Sequence, residues 1–253
     1  MTAKIIFGSK NRLGTVTPEQ LQAMLDRFHL GELIGFGKTN QGAMGQTWFI
    51  TSTAGEFVLK GHPVYPGQLE EEKFFIEQIK KRTTIPVPTP YIIDDALDIF
   101  DWSYALIPRL EGSHLDAPTL RTQLWVEEQR SIAKSIAATL REFHQWKVEH
   151  CGKLDPNTCQ IQPFAPAYHE WLFERIRFWL NDAKKYPAIT ENDVAWVESL
   201  IDASRQALLE FDSPTFVMGD FKTGNFLVSI QVNRGGKSVV YSTSPIPILP
   251  IRY

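Results

Sequence analysis

Cysteine is nearly absent. The 253 residues hold only Cys151 and Cys159, too few for a disulfide framework or a cysteine-built zinc site, and a reducing compartment follows. An excess of positive charge is also missing. With 26 Lys and Arg against 29 Asp and Glu the net charge is −3, and no basic stripe interleaved with aromatics favours a nucleic-acid partner. No apolar run is long enough to span a bilayer, and the opening stretch Met1–Lys10 has too short an apolar core for a secretory signal. Internal repeats and low-complexity tracts are lacking. A soluble, cytoplasmic protein with no membrane partner is the expectation. Its 43% hydrophobic and 22% charged residues are ordinary for a globular chain, long enough for one large core or two modest ones.

What is present divides into two kinds of pattern. Thr17-Pro18-Glu19-Gln20 predicts a helix start, with Thr as the cap, Pro in the first turn and Gln reaching back. Leu21, Met24, Leu25 and Phe28 follow at helical spacing. Glu32-Leu33-Ile34 leads into a glycine-rich segment from Gly35 to Gln46 that holds Gly35, Gly37, Gly42 and Gly45. Thr47–Thr51 and Glu56–Lys60 read as strands around a Ser52–Gly55 turn. Glu70–Arg82 reads as a helix burying Phe74, Phe75, Ile76 and Ile79, and Pro86, Pro88 and Pro90 then impose extended chain. Ser103–Ile107 is a further strand, broken by Pro108–Gly112. Helices dominate afterwards. One covers 120–146, with Ile132, Ile136, Leu140 and Phe143 as its stripe. A second covers 166–184, with Trp171, Leu172, Ile176, Trp179 and Leu180 as core positions. A third, Thr190–Phe211, opens on a Thr190–Asp193 capping pattern and repeats Val194, Val197, Leu200 and Ile201. Thr215–Met218 and Phe226–Ser229 read as short strands flanking a tight polar loop. A strand-rich part joined near residue 108 to a helix-rich part predicts two lobes with a cleft between them.

The polar loop, Gly219-Asp220-Phe221-Lys222-Thr223-Gly224-Asn225, carries the chemistry. Phosphoryl transfer needs a carboxylate at the acceptor hydroxyl and oxygen ligands for magnesium close by. Asp220 and Asn225 on one strand-flanked loop supply both. Gly, Asp and Asn are also turn formers, so the loop alone does not separate a site from an ordinary turn. Lys60 ends a strand behind the glycine-rich segment. There an ammonium reaches a nucleotide's phosphates while amides of Gly35 and Gly37 approach from above; a solvated strand-end lysine is the plainer alternative. Glu72 lies on the next helix, on the face adjoining Phe75, Ile76 and Ile79, and can pair with Lys60, with Glu71 as a substitute. Ser103–Pro108, including Leu106 and Ile107, fits the connector between lobes, whose backbone groups would bind an adenine edge.

Glycine loop, lysine, helix glutamate, connector, helical lobe and Gly-Asp-x-x-x-x-Asn occur in an order that resembles the aminoglycoside phosphotransferase family, with its choline kinase and fructosamine kinase relatives. The resemblance covers about residues 26–230. Ala138-Thr-Leu-Arg-Glu-Phe-His144 is similar to the family's Leu-x-x-Leu-His helix end. Phe216-Val-Met-Gly-Asp-Phe-Lys-Thr-Gly-Asn-Phe-Leu-Val228 is similar to its His-Gly-Asp-x-x-x-x-Asn-x-Leu-Val loop. The resemblance implies an α+β, protein-kinase-like bilobal fold: a small nucleotide-binding lobe over 1–108, a hinge at 104–109, and a larger helical lobe over 109–253, incomplete at its end. It further implies ATP and Mg2+ as cofactors and a small-molecule hydroxyl acceptor as partner. Asp220 would be the catalytic base, Asn225 a magnesium ligand, and Lys60 the partner of Glu72. Met218 departs from the pattern, because a thioether cannot make the hydrogen bonds of the family's histidine.

The larger departure lies downstream. Family members carry a metal-binding Asp soon after the Asn, whereas Phe226–Tyr253 contains no Asp or Glu at all. A pseudokinase that at most binds nucleotide is therefore the alternative to an active phosphotransferase. Read one base out of frame from Gly235, the codons permit Trp-Gln-Val-Ser-Gly-Val-Phe-Asp-Leu, a strand with the expected Asp. Residues 235–253 would then be a non-native tail produced by a single-base indel near codons 233–236. Sequencing the gene across those codons tests this: the shifted frame should stay open and encode that Asp, and an early stop in it refutes the reading.

Overall fold

The computed structural model of the chain describes residues 14–39, 46–61, 65–118, 120, 124–211, 213–218, 223–232 and 239–245. Helix α1 (Pro18–Arg27) begins as its residues require. The Thr17 hydroxyl accepts from the Gln20 amide at 3.3 Å, and the Gln20 side chain accepts from the Thr17 amide at 3.1 Å, so two orphan donors are satisfied reciprocally. Gln20 also donates to the Ile99 carbonyl at 2.9 Å, tying this cap to a distant loop.

Strands β1 (Leu33–Lys38), β2 (Gln46–Ser52), β3 (Gly55–Gly61), β4 (Ile92–Asp94) and β5 (Tyr104–Pro108) form an antiparallel sheet in the order β1-β2-β3-β5-β4. Gly55, at φ +142°, closes the β2–β3 hairpin in a conformation that side chains disfavour. Strand alternation sends Trp48, Ile50, Leu59, Tyr104 and Leu106 to one core, where Leu21, Met24 and Leu25 of α1 join Phe100 and Trp102. Phe100 stacks on Trp102 at 4.4 Å. Helix α2 (Gln68–Arg82) starts two residues before the expected Glu70. Ile76 and Ile79 are buried as predicted, while Phe74 and Phe75 are only half-buried and meet edge to face.

After β5 the chain makes β6 (Ser113–His114), α3 (Val126–Gln145), β7 (Gly152–Asp155), β8 (Gln160–Pro163), α4 (Tyr168–Ala183), α5 (Glu191–Leu209), a 3-10 turn at Thr223–Asn225, β9 (Phe226–Val232) and β10 (Val239–Pro245). Strands β10-β9-β6 form one antiparallel sheet and β7-β8 a hairpin. Helix α3 begins at Val126, not at 120. The Glu128 carboxylate accepts from the Trp125 amide at 2.7 Å, so the chain caps itself there. The capping box expected at Thr190 and Asp193 is present in α5. Two stripes differ from expectation. Trp179 is 46% and Leu200 44% exposed, and Phe173 and Ile201 are the fully buried positions of α4 and α5. Thr215–Met218 is not a strand: Thr215 makes a single bridge to Lys147.

The chain divides into two units, one holding residues up to Arg141 and again from Met218, the other Glu142–Val217. In the second, Phe216 stacks on Trp146 at 4.7 Å and meets Phe143 edge to face at 5.4 Å. The Arg177 guanidinium holds Glu198 at 2.8 Å between α4 and α5.

In the first unit, Arg27 bridges Asp94 at 2.6 Å and Asp98 at 2.5 Å, and the Tyr104 hydroxyl donates to Asp94 at 2.6 Å. Burial works to raise the Asp94 carboxyl, but Tyr104, the Ala96 amide and Arg27 together hold it below its ordinary range. Arg27 does the same for Asp98. A lowered folded-state value stabilises above the unfolded value of about 3.9 and is lost as pH falls through the folded one. Arg27→Ala should therefore lower the melting temperature at pH 7, with a gap to wild type that persists down to about pH 5 and narrows below about pH 4. Circular dichroism melts across that range check this; a gap independent of pH would refute it.

Candidate functional site

Lys60 follows Leu59 on β3, so its side chain leaves the sheet on the face opposite to the α1 core. On that face α2 presents Glu72, one helical turn before Ile76 and two before Ile79, and the stripe that buries these isoleucines buries the carboxylate too. Glu72 is 1% exposed. A lone carboxylate at such a position would cost several kcal/mol, on the order of the desolvation penalty of a buried ion. Three groups offset that cost. The Lys60 ammonium pairs with Oε2. The Tyr91 hydroxyl donates to the same oxygen at 2.7 Å, and the Gln68 side-chain amide donates to Oε1 at 3.1 Å. Burial, followed by the charge of Glu72, pushes the Tyr91 phenol well above its ordinary value, so it stays a neutral donor. Glu71, the substitute for Glu72, instead accepts from Tyr65 at 2.8 Å.

The other expected positions are placed as follows. Gly35 and Gly37 lie on β1, paired with Thr51 and Phe49. A Cβ at either would meet nothing within 4 Å, so no described contact requires glycine there. Leu106 and Ile107 lie inside the sheet. Leu106 is opposite both Leu59 and Ile92, and Ile107 is opposite Val58. The Arg109 amide donates to the Glu56 carbonyl at 2.9 Å. By the alternation of an antiparallel ladder, the main-chain groups of Ile107 thus turn toward β3 and those of Leu106 toward β4. Both sets serve the sheet, and Leu106 has no exposed surface at all. The pairing of this connector with β4 ends at Leu106 and Ile92, so the Pro108 carbonyl lies beyond it.

Asp220 lies outside the described residues. Asn225 ends the 3-10 turn and is 1% exposed. Its surroundings come from β6 and α3. The His114 Nδ1–H donates to the Gly224 carbonyl at 2.9 Å, and the Leu115 amide donates to the Phe226 carbonyl at 3.1 Å. Leu120 and Ile132 pack with Val228, three residues after Asn225. Beside Thr223 opens a cavity of ≈ 490 Å3 with an aliphatic floor including Leu115, Leu124 and Ile136, and Asp116 as its carboxylate. Among the described residues no group of three or more His, Cys, Asp or Glu is placed to hold a metal ion.

Tyr91, Gln68, His114 and Asp116 were not singled out from the sequence. Gln68 is four residues before Glu72, a helical spacing that a search for partners of that glutamate would have found. Tyr91 and His114 reach their partners through tertiary contact, for which the sequence carries no local signal.

The phosphotransferase enzyme family profile matches residues 38–240. No curated protein sequence matches the chain with significance. Among solved structures, the chain is similar to a protein of Ralstonia eutropha JMP134 described as a candidate aminoglycoside phosphotransferase. The TM-score is 0.58 at 17% identity, over 83% of this chain and 60% of that one. It is similar to aminoglycoside 2'-phosphotransferase-IIIa in its GDP complex (TM-score 0.60, 13% identity, 90% of this chain, 70% of that one). A microcompartment-associated aminopropanol kinase aligns with TM-score 0.53 at 14% identity, over 90% of this chain and 68% of that one. The fold is thus α+β and protein-kinase-like, and the chain spans about 60% of the length of the first of these structures.

A hydrogen bond to a charged, buried group contributes about 1.5–3 kcal/mol. Tyr91→Phe should accordingly lower the melting temperature by about 3–10 °C, the shift such an energy produces in a domain of this size. A melt within 1 °C or so of wild type would show that Tyr91 does not hold Glu72.

Proposed function

We propose that this chain, which belongs to the phosphotransferase enzyme family, transfers the γ-phosphate of ATP to a hydroxyl group of a small molecule. The observation that carries the reading is the Lys60–Glu72 pair, whose carboxylate is buried and held from two further sides. A protein-kinase-like fold uses such a strand lysine and helix glutamate to hold nucleotide phosphates. Solved relatives of this fold include complexes with GDP and, for aminoglycoside phosphotransferase APH(4)-Ia variants, with ADP or AMP-PNP together with hygromycin B.

Residues 1–108 form the nucleotide-binding lobe in this reading, with Gly35 and Gly37 over the phosphates and the adenine edge against main chain at the connector, from the Pro108 carbonyl onward. Lys60 donates to the phosphates, and Glu72 keeps its ammonium charged and aimed. Asp220 accepts the proton of the acceptor hydroxyl as its oxygen bonds to the γ-phosphorus. The bond from that phosphorus to the β–γ bridging oxygen breaks, leaving ADP and a phosphomonoester. The Asn225 amide oxygen and the Asp220 carboxylate would hold magnesium, two hard oxygens carrying a single charge beside the nucleotide's phosphates. When bound, the ion neutralises charge on the phosphates. The cavity beside Thr223 would take the acceptor. Its aliphatic floor and Asp116 suit a compact hydroxylated molecule bearing an amine.

A second reading, nucleotide binding without turnover, is favoured by the absence of any Asp or Glu from Phe226 to Tyr253. Thermal shift with ATP and MgCl2, beside an ADP-release assay over amino alcohols and aminoglycosides, tests both. Turnover that falls by about 100-fold or more in Asp220→Asn, the usual worth of a general base, supports the first reading. Stabilisation without ADP release supports the second. No stabilisation by any nucleotide would overturn both.

A further inference from the structure

We infer that His114 is a positioning residue for the 3-10 turn Thr223–Asn225: its imidazole, supplied from β6, holds the Gly224–Asn225 peptide and so helps set the direction of the Asn225 side chain. The inference rests on the phosphotransferase reading only for what Asn225 does. The tether itself is independent of it.

Asn225 and Phe226 stand between two held carbonyls, and both bonds come from the segment that begins with β6. The Gly224 carbonyl accepts from His114 Nδ1 at 2.9 Å, and the Phe226 carbonyl accepts from the Leu115 amide at 3.1 Å. A two-residue stretch whose flanking peptides are both gripped has fewer backbone conformations open to it. The strand in turn is held at a fixed distance from β9. Ser113 and His114 pair with Val228 and Leu227. Gly112, at φ +130°, lets the backbones close up where a Cβ would come within 3.1 Å of the Val228 carbonyl. Asp116 completes the contact, with its carboxylate against Gly224 so closely that a Cβ there would lie 2.9 Å from Oδ2. The segment 112–116 therefore meets β9 through a glycine and a backbone pair, and the 3-10 turn through an imidazole and a carboxylate.

The 3-10 turn takes this tether from another element. Met218, two residues before Asp220, is buried and offers only a thioether, a weak acceptor with no hydrogen to donate. The His114 side chain reaches the main chain of the 3-10 turn from another element. Of the possible replacements, Asn keeps a donor of similar reach and Ala removes it.

The test compares wild type, His114→Ala and His114→Asn by amide hydrogen exchange of the free protein and by Mn2+·ADP binding read from Mn2+ EPR. A net hydrogen bond of ordinary strength corresponds to about three- to tenfold. Exchange over residues 223–228 should rise by about that factor in His114→Ala, with the β2–β3 hairpin unchanged, and return most of the way in His114→Asn. The dissociation constant of Mn2+·ADP should rise by about the same factor in His114→Ala, while that of ADP in EDTA stays constant. Unchanged exchange at 223–228 overturns the tether, whatever the nucleotide does. Faster exchange throughout the unit, or equal loss in both variants, overturns it as well, because His114 would then be merely structural. Faster exchange at 223–228 with unaltered Mn2+·ADP affinity overturns the positioning of Asn225. A wild type that binds no Mn2+·ADP overturns the phosphotransferase reading, and the exchange result alone then decides the tether.

Discussion

Burying the carboxylate of Glu72 is the constraint around which the first unit is arranged. The group cannot be left dry and unpaired, since the penalty would rival the net stability of a typical domain. Each of its partners in turn fixes an element. Lys60 fixes the face of β3 that meets α2, Gln68 fixes the first turn of α2, and Tyr91 fixes the extended chain after the proline segment. A one-residue slip of β3 would turn Lys60 into the aromatic core and Leu59 onto the charge, so the ion pair and the hydrophobic core enforce the same register. The pair is thus as much a statement about which alternative packings are forbidden as about any attraction between its two ions.

The loop that ends at Asn225 follows a different principle. The Gly224 carbonyl takes the His114 imidazole, and β9 just beyond it joins an aliphatic layer through Val228, Leu120 and Ile132. Where the lysine site is held by charge in a low dielectric, the asparagine site is held by strand pairing and by close approach at Gly112. The two sites therefore respond to different perturbations, the first to loss of charge and the second to changes in backbone path.

Local features were legible in the residues. The capping boxes at Thr17 and Thr190 are read within four residues and form as written, because both partners lie on one turn. The hairpin around Gly55 and the burial of Ile76 and Ile79 are equally local. Legibility fails where a third element decides. Trp179 and Leu200 sit on plausible apolar stripes and are exposed, whereas Phe173, outside the expected stripe, is buried in α4, and of the α5 stripe Ile201 is the buried position. The β7–β8 hairpin and β10 were not anticipated, since their short polar or proline-containing runs carry little periodicity. Lys60, Glu72 and Asn225 were named from order and spacing along the chain. Tyr91 and His114 were not, since nothing in their own neighbourhoods marks them. Leu106 and Ile107 show a third case: the segment was found, but only the ladder reveals which of its backbone groups the sheet already engages.

Strand β6 is two residues long, and that brevity has an evolutionary consequence. Surface connections generally absorb insertions and deletions with little effect. Between Gly112 and Asp116 no such slack exists, because every residue there meets β9 or the 3-10 turn. Divergent copies of this chain are free to lengthen the turn of the β7–β8 hairpin around Asn157, but the spacing from Gly112 to Asp116 has to be inherited intact, as strictly as the loop it supports.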